Sequence, residues 1–111
     1  MMNEILNEDL LRELKVIMED EFSDLMKTFL LESQRQFHSA QAAWETGDFA
    51  QLRLSVHSLK GSCANVGAEQ LQKTCARLEQ QAKQASTDGV PELLAQVLRQ
   101  LEDVHGQIEK L

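Results

Sequence analysis

The sequence predicts an all-α fold: an antiparallel up-and-down four-helix bundle with a short additional N-terminal helix. Helix-favouring Leu, Ala, Gln and Glu are abundant, whereas Tyr is absent and Pro occurs once. Apolar residues recur at steps of three and four along four long stretches. Gly47, Gly67 and Gly89 separate these stretches at places where a helix end or turn needs a positive φ. The short connections favour antiparallel neighbours.

The first two predicted helices occupy the N-terminal part of the chain. Asn7 is the expected N-cap of the first helix, and Glu8 and Asp9 in its first turn suit the positive end of the helix dipole. The expected narrow apolar face of this helix consists of Leu10, Leu14 and Ile17. The second helix, over residues 20–46, is the longest. Its apolar stripe consists of Phe22, Met26, Phe29, Ser33, Phe37, Ala40 and Trp44.

A third helix is predicted to follow Gly47. Asp48 is its expected N-cap, and Gln51 three residues later completes a capping box. Its apolar seam consists of Phe49, Leu52, Val56, Leu59, Cys63 and Val66. This seam has no gaps, so we expect the helix to lie against the core along its whole length.

Two further helices complete the predicted bundle. The fourth, over residues 68–85, turns inward Leu71, Cys75, Leu78 and Ala82. The last helix follows Pro91, and its apolar residues are Leu94, Val97, Leu101, Val104, Ile108 and Leu111. Four long apolar stripes are therefore available to close one core.

Composition and charge exclude several classes of function. A length of 111 residues suits one domain with one modest core. The net charge of -7 disfavours nucleic-acid binding, so a protein partner is expected. The N-terminus lacks the features of a signal peptide, and no segment reaches the roughly 18 apolar residues of a membrane span, which predicts a cytoplasmic protein. Cys63 and Cys75 have no metal-ligand spacing and are expected to pack as small apolar residues.

His57 is the feature of the third helix that packing does not explain. At about 100° per residue the seam centres near Val56, which places His57 well round towards solvent. Gly61 lies one turn further on the same side, where a glycine costs about 1 kcal/mol relative to alanine. Its missing side chain, followed by Ala64, clears a path for a partner to approach the imidazole. Lys60 lies within reach of any anion formed on the histidine.

This combination predicts a site that accepts an anionic group. Neutral imidazole is a nitrogen nucleophile near pH 7, and Lys60 could stabilise the charge that phosphorylation adds. Each residue also has an ordinary interpretation: a surface histidine, a solvated lysine, or a glycine that allows close helix packing. His38 and His105 lack Lys-Gly neighbours and are expected to be surface residues.

Residues 57–68, with the sequence HSLKGSCANVGA, resemble the signature of the histidine phosphotransfer (HPt) family and its His-x-Leu-Lys-Gly core. Residues 47–79 are similar to the central hairpin of that family, and residues 18–32 to the preceding helix. The resemblance implies a single HPt-like domain over residues 1–111, of the single-domain bacterial type. It also implies a bundle in which His57 is the exposed phosphoacceptor, Lys60 stabilises the phosphate and Gly61 gives access.

The resemblance further implies a phosphocarrier without autonomous kinase or phosphatase activity. Its expected partners are receiver domains of response regulators, including the receiver of a hybrid sensor kinase, and it is expected to act as a monomer. It would hold no cofactor, since the Mg²⁺ belongs to the partner receiver domain. Family members carry a Glu or Gln that bonds the Nδ1 atom of the histidine and leaves Nε2 free. Glu79 matches that position, although it could equally be a solvated helix charge.

Two other functions fit the sequence. One is a non-catalytic helical adaptor that docks a receiver or another protein, although such a protein would not need Gly61 beside His57. The other is the phosphoacceptor region of a larger kinase. A phosphocarrier explains His57, Lys60 and Gly61 together, so we rank it first.

Overall fold

The computed structural model describes residues 4–111, and these residues form helices without any strand. The helices are α1 (Glu8–Met18), α2 (Glu21–Thr46), α3 (Phe49–Asn65), α4 (Glu69–Lys83) and α5 (Val90–Glu109). Each of the four long helices packs against the next, and α5 returns to α2, which closes the bundle. The predicted four-helix bundle with a short additional N-terminal helix is confirmed.

The core is a continuous cluster of apolar side chains from all five helices. Its centre lies between α3 and α4, where the apolar residues are at most 1% exposed: Leu52, Val56, Leu59, Cys63, Leu71, Cys75 and Leu78. Ser55 and Thr74 are also buried on these two helices. The α3–α4 pair is therefore a rigid support for any side chain that it carries on its outer surface.

The turn between α3 and α4 depends on Gly67, whose φ is +73°. A Cβ at this position would lie 2.9 Å from the Cβ of Asn7, so the turn needs glycine both for its backbone conformation and for space. The Asn7 backbone N–H donates to the Gly67 carbonyl at 2.9 Å, and the Asn7 side chain donates to Glu69 at 3.0 Å. Asn7, the N-cap of α1, is thus fixed to the α3–α4 turn. Gly47 and Gly89 also adopt the predicted positive φ.

Both predicted N-caps are present, but the predicted capping box is only half formed. The Asn7 side chain accepts from the Leu10 N–H, and the Asp48 side chain accepts from the Gln51 N–H, each at 3.0 Å. The Gln51 side chain does not bond back to Asp48. The Asp48 N–H already donates to the Ala43 carbonyl at 2.8 Å, so the Gln51 amide donates instead to Ser55 at 2.9 Å.

The predicted apolar face of α1 is only partly correct, since Leu14 packs against the core but Ile17 does not. Ile17 is 76% exposed, Leu10 and Leu14 are half-buried, and Leu11 is the buried residue of this helix. A narrow stripe of three residues leaves the rotation of a short helix open, and here the bond between Asn7 and Gly67 helps to fix how the helix lies on the bundle.

Three other residues predicted in the apolar stripes are less buried than expected. Leu111 is 63% exposed because it lies beyond the last turn of α5. Trp44 and Phe49 are half-buried and pack edge to face across the α2–α3 turn, with ring centroids 6.3 Å apart. Within residues 4–111, no helix is both long enough and apolar enough to cross a bilayer.

Candidate functional site

His57 projects from the outer side of α3. Its neighbour Val56 is 1% exposed at the centre of the core, whereas the His57 side chain is 64% exposed. The step of about 100° between consecutive helical residues produces this contrast. His57 lies off the apolar seam and is open to solvent, as predicted.

Glu79 of α4 holds the His57 ring from one side. One carboxylate oxygen, Oε2, lies 2.8 Å from His57 Nδ1. Leu78, the preceding residue, is fully buried and fixes the helix beneath Glu79. An ionised carboxylate can only accept hydrogen bonds, so the proton of the neutral ring lies on Nδ1. The other nitrogen, Nε2, then carries the lone pair.

Lys60 binds the second oxygen of the same carboxylate. Its Nζ lies 2.6 Å from Glu79 Oε1, an oxygen that is out of contact with solvent. The Lys60 side chain is 30% exposed and that of Glu79 is 17% exposed. The sequence predicted that Lys60 would lie near His57 but not that it would pair with Glu79. The two residues are 19 positions apart on different helices, and only the register of the hairpin brings them together.

The charge of Glu79 follows from these two contacts. Burial alone would raise the pKa of the Glu79 carboxyl, but the hydrogen bonds from Lys60 and His57 outweigh it and lower this pKa. The carboxyl is therefore ionised at neutral pH. The imidazole has a permanent acceptor on one nitrogen, and a cation is one turn away on its own helix.

Gly61 lies in open surroundings on the same side of α3. A Cβ built at this position would meet no atom within 4 Å apart from its own helix backbone and chain neighbours. Close packing of a neighbouring helix therefore does not explain the glycine. Together with Leu54, His57 and Ala64, it forms a strip at steps of three and four, which we call the α3 outer strip. All four of its residues are exposed.

Leu54 is the residue of this strip that the sequence analysis missed. It is 61% exposed although it is a large apolar residue in the middle of the chain. The available signal was its spacing, three residues before His57 and off the apolar seam. Single exposed apolar residues are common on protein surfaces, and what distinguishes Leu54 is its place beside His57 on the α3 outer strip.

The other two histidines differ from each other. His38 is exposed on α2, as predicted. The prediction of a surface role for His105 is wrong, because this side chain is half-buried and its Nε2 lies 2.9 Å from the Oγ of the fully buried Ser33. Its ring packs edge to face on Phe29, with centroids 5.9 Å apart. Burial lowers the pKa of His105, and the nearby Glu109 only partly opposes this.

The cysteines pack inside, as predicted. Cys63 and Cys75 are free thiols with no exposed surface. A hydrogen bond to Cys75, together with burial, raises the pKa of the Cys63 thiol and keeps it protonated. Among residues 4–111, no group of three or more His, Cys, Asp or Glu side chains is arranged to hold a metal ion.

An exposed histidine held by a carboxylate on the outside of a four-helix bundle defines a helical module suited to reaction with another protein. The family model for the Hpt domain matches residues 24–107. The chain therefore belongs to the Hpt domain family, as the resemblance over residues 57–68 predicted.

Individual relatives agree with this assignment. The crystal structure of histidine-containing phosphotransfer protein B from Pseudomonas aeruginosa is 33% identical, with 98% of this chain and 95% of that chain covered and a TM-score of 0.94. Histidine-containing phosphotransfer protein 1 of rice is 33% identical over 64 residues, which are 58% of this chain but only 44% of the rice protein. A maize histidine-containing phosphotransfer protein, at 24% identity, covers 96% of this chain and 87% of its own with a TM-score of 0.84, and supports the fold.

Proposed function

We propose that this chain is a phosphocarrier of a two-component phosphorelay. His57 accepts a phosphoryl group from the aspartate of one receiver domain and passes it to the aspartate of another. The observation that carries the proposal is the contact of 2.8 Å between His57 Nδ1 and Glu79 on an otherwise exposed ring. It fixes the tautomer and leaves Nε2 as the nucleophile on the open side.

The transfer needs one nucleophile and a correctly placed phosphorus atom. The lone pair of Nε2 attacks the phosphorus in line, and the N–P bond forms as the P–O bond to the receiver aspartate breaks. The aspartate leaves as a carboxylate with the electron pair of that bond. The phosphorylated ring keeps its proton on Nδ1, which continues to donate its hydrogen bond to Glu79. Donation to a second receiver reverses these steps.

The neighbouring residues have separate roles in this proposal. Lys60 supplies positive charge near the transferred group, and Glu79 orients the imidazole. Gly61 leaves room for the receiver to approach along the α3 outer strip, since no side chain projects from it over His57. Leu54 gives the partner an apolar contact one turn before the histidine.

The wider assignment follows the same reasoning. The partners are receiver domains of response regulators, including that of a hybrid sensor kinase, and their Mg²⁺ neutralises the phosphoryl group, so this chain needs no cofactor of its own. Residues 1–111 act as one domain and as a monomer in the cytoplasm. The chain has no autonomous kinase or phosphatase activity. Its net charge of -7 argues against nucleic acid as a partner.

The direct test is incubation with a receiver domain that has been phosphorylated on its aspartate. We expect an acid-labile, base-stable phosphate that maps to His57 by mass spectrometry and is then transferred to a second receiver domain. His38→Gln is a matched control, since it removes another exposed histidine and should leave labelling unchanged. A chain that binds the receiver but acquires no phosphate would be an adaptor, and the proposal would be wrong.

A further inference from the structure

Glu79 is shared between the nucleophile and the nearby cation. Its Oε2 bonds His57 Nδ1 at 2.8 Å, and its Oε1 bonds Lys60 Nζ at 2.6 Å. Oε1 has no access to solvent and no hydrogen-bond partner within residues 4–111 other than this ion pair. In the unphosphorylated protein, Lys60 is therefore already engaged by a buried anionic oxygen.

A phosphoryl group on His57 Nε2 would be a second anion close to Lys60. That group brings a charge of about -1.5 to -2, and the lysine lies three residues away on the same helix. If Lys60 moved to the phosphoryl group, Glu79 Oε1 would stay out of water without a partner, which is costly for a carboxylate. The Lys60 ammonium has three N–H donors but a single positive charge, and the two anions must share that charge, so the phosphoryl group is only partly neutralised.

We propose, on the basis of the function proposed above, that Glu79 competes with the phosphoryl group for Lys60 and thereby shortens the lifetime of phosphorylated His57. Glu79 is thus a positioning residue with two effects. It orients the ring for attack, and it reduces the stabilisation that Lys60 gives to phosphorylated His57. The result is a phosphohistidine that is readily given up to the next receiver domain.

The substitution Glu79→Gln separates these two effects. The glutamine carbonyl still accepts the hydrogen bond from Nδ1–H, so the ring keeps its orientation. The neutral amide no longer attracts Lys60, which becomes free to bind the phosphoryl group. We expect the phosphorylated form of this variant to live roughly two to five times longer than that of the wild type, the factor that a partly exposed charge pair gives.

A double-mutant cycle tests the competition itself. The wild type, Glu79→Gln, Lys60→Ala and the double variant are phosphorylated with phosphoramidate, which transfers its phosphoryl group to the imidazole and releases ammonia. Phosphorus NMR then follows hydrolysis, in which water attacks the phosphorus, the N–P bond breaks and inorganic phosphate appears. Glu102→Gln and Lys27→Ala are matched controls, since they make the same charge changes at exposed positions of α5 and α2.

The expected result is strong non-additivity. Loss of Lys60 should shorten the lifetime about twofold or less in the wild type but about fivefold in the Glu79→Gln background, where the lysine is free. Equal factors in the two backgrounds would mean that only net charge matters, and the competition would be excluded. A Glu79→Gln lifetime equal to or shorter than that of the wild type would also overturn it.

The lifetime measured after labelling with phosphoramidate tests the competition for Lys60 separately from the proposed transfer between receiver domains. Phosphoramidate needs no receiver domain, so the cycle can be measured even if receivers never phosphorylate the chain. Conversely, normal transfer from a receiver together with additive lifetimes would reject the competition alone. All four proteins are compared at a temperature where circular dichroism shows a folded bundle. If Glu79→Gln does not fold, Glu79→Ala replaces it and must show the same non-additivity.

Discussion

His57 and His105 each have one ring nitrogen paired with a side chain from another helix, yet their surroundings differ in every other respect. His57 is 64% exposed and is paired with the charged Glu79. His105 is half-buried, lies against Phe29, and is paired with the hydroxyl of Ser33. A hydrogen bond to one ring nitrogen therefore does not by itself distinguish the two histidines. They differ in the chemistry of the partner and in how exposed the side chain is.

The identity of the paired nitrogen strengthens this contrast. In His57 the contact uses Nδ1, which leaves Nε2 of this largely exposed side chain free of Glu79. In His105 the contact uses Nε2, so the outer nitrogen is the one engaged with Ser33. The first arrangement suits attack on a large partner, and the second suits a link between α2 and α5.

The largest difference between the two histidines is expected when each imidazole is removed in turn. His57→Gln should abolish phosphoryl acceptance while leaving the helical circular dichroism and the melting temperature nearly unchanged, because the side chain lies outside the core. The measurement is labelling by a phosphorylated receiver domain, with melting curves for the same samples. His105→Gln is the matched control and should still be labelled. Full labelling of His57→Gln would remove this histidine from the function.

Gly61 tests whether open space beside His57 matters. Gly61→Gln should fold, since a Cβ at this position meets nothing within 4 Å, yet its side chain projects back over His57 at i-4. We expect the initial rate of transfer from a receiver to fall at least about tenfold, equivalent to about 1.4 kcal/mol in the barrier. Gly61→Ala should lower the initial rate of transfer only modestly. It should raise the free energy of unfolding by up to about 1 kcal/mol, because alanine has a better helix propensity than glycine.

Substitution of Gly61 is expected to change the stability and the rate of transfer in opposite directions. Stability should rise while transfer falls, as measured by urea unfolding and by the rate with one receiver domain. Unfolding of both variants would make Gly61 a packing glycine. Transfer at the wild-type rate by a folded Gly61→Gln would show that access along the α3 outer strip is not limiting.

Lys60 is expected to have a smaller effect than either of these residues. Lys60→Ala should slow formation of the phosphohistidine and shorten its lifetime by about twofold, because the cation that partly neutralises the phosphoryl group is lost. The bundle should remain folded. Lys27→Ala provides the comparison for a general change in charge. Rates and lifetimes equal to those of the wild type would leave Lys60 without a role in transfer.

Much of the bundle could be predicted because its signals are local. Periodicity and N-caps at Asn7 and Asp48 placed the helix starts close to those observed, and glycines marked the turns. The exposure of His57 followed from the same periodicity. The rotation of α1 could not be predicted, since it depends on contacts between the segment around Asn7 and the distant turn at Gly67.

The polar contacts within the bundle were harder to predict for a similar reason. Ser33 was expected to face inward, but its partner His105 is 72 positions away, and no local pattern joins them. The pairing of Lys60 with Glu79 depends on the register of α3 against α4 to within one residue. Periodicity shows which side of a helix faces the core but not which polar atoms meet across it.

The pH dependence of stability is expected to depend on His105. Because burial lowers the pKa of this imidazole in the folded protein, the unfolded chain binds a proton more readily. Stability from the neutral ring is fully present above the ordinary histidine pKa of about 6.5 and is lost as the pH falls through the lowered value. We therefore expect the unfolding free energy of the wild type to decrease more between pH 7.5 and 5.5 than that of His105→Gln, as measured by urea titration at about these two values. His38→Gln should follow the wild type, since it leaves the pair of His105 and Ser33 intact. Equal losses in the wild type and His105→Gln would show that this histidine titrates alike in both states, and its difference from His57 would then rest on geometry alone.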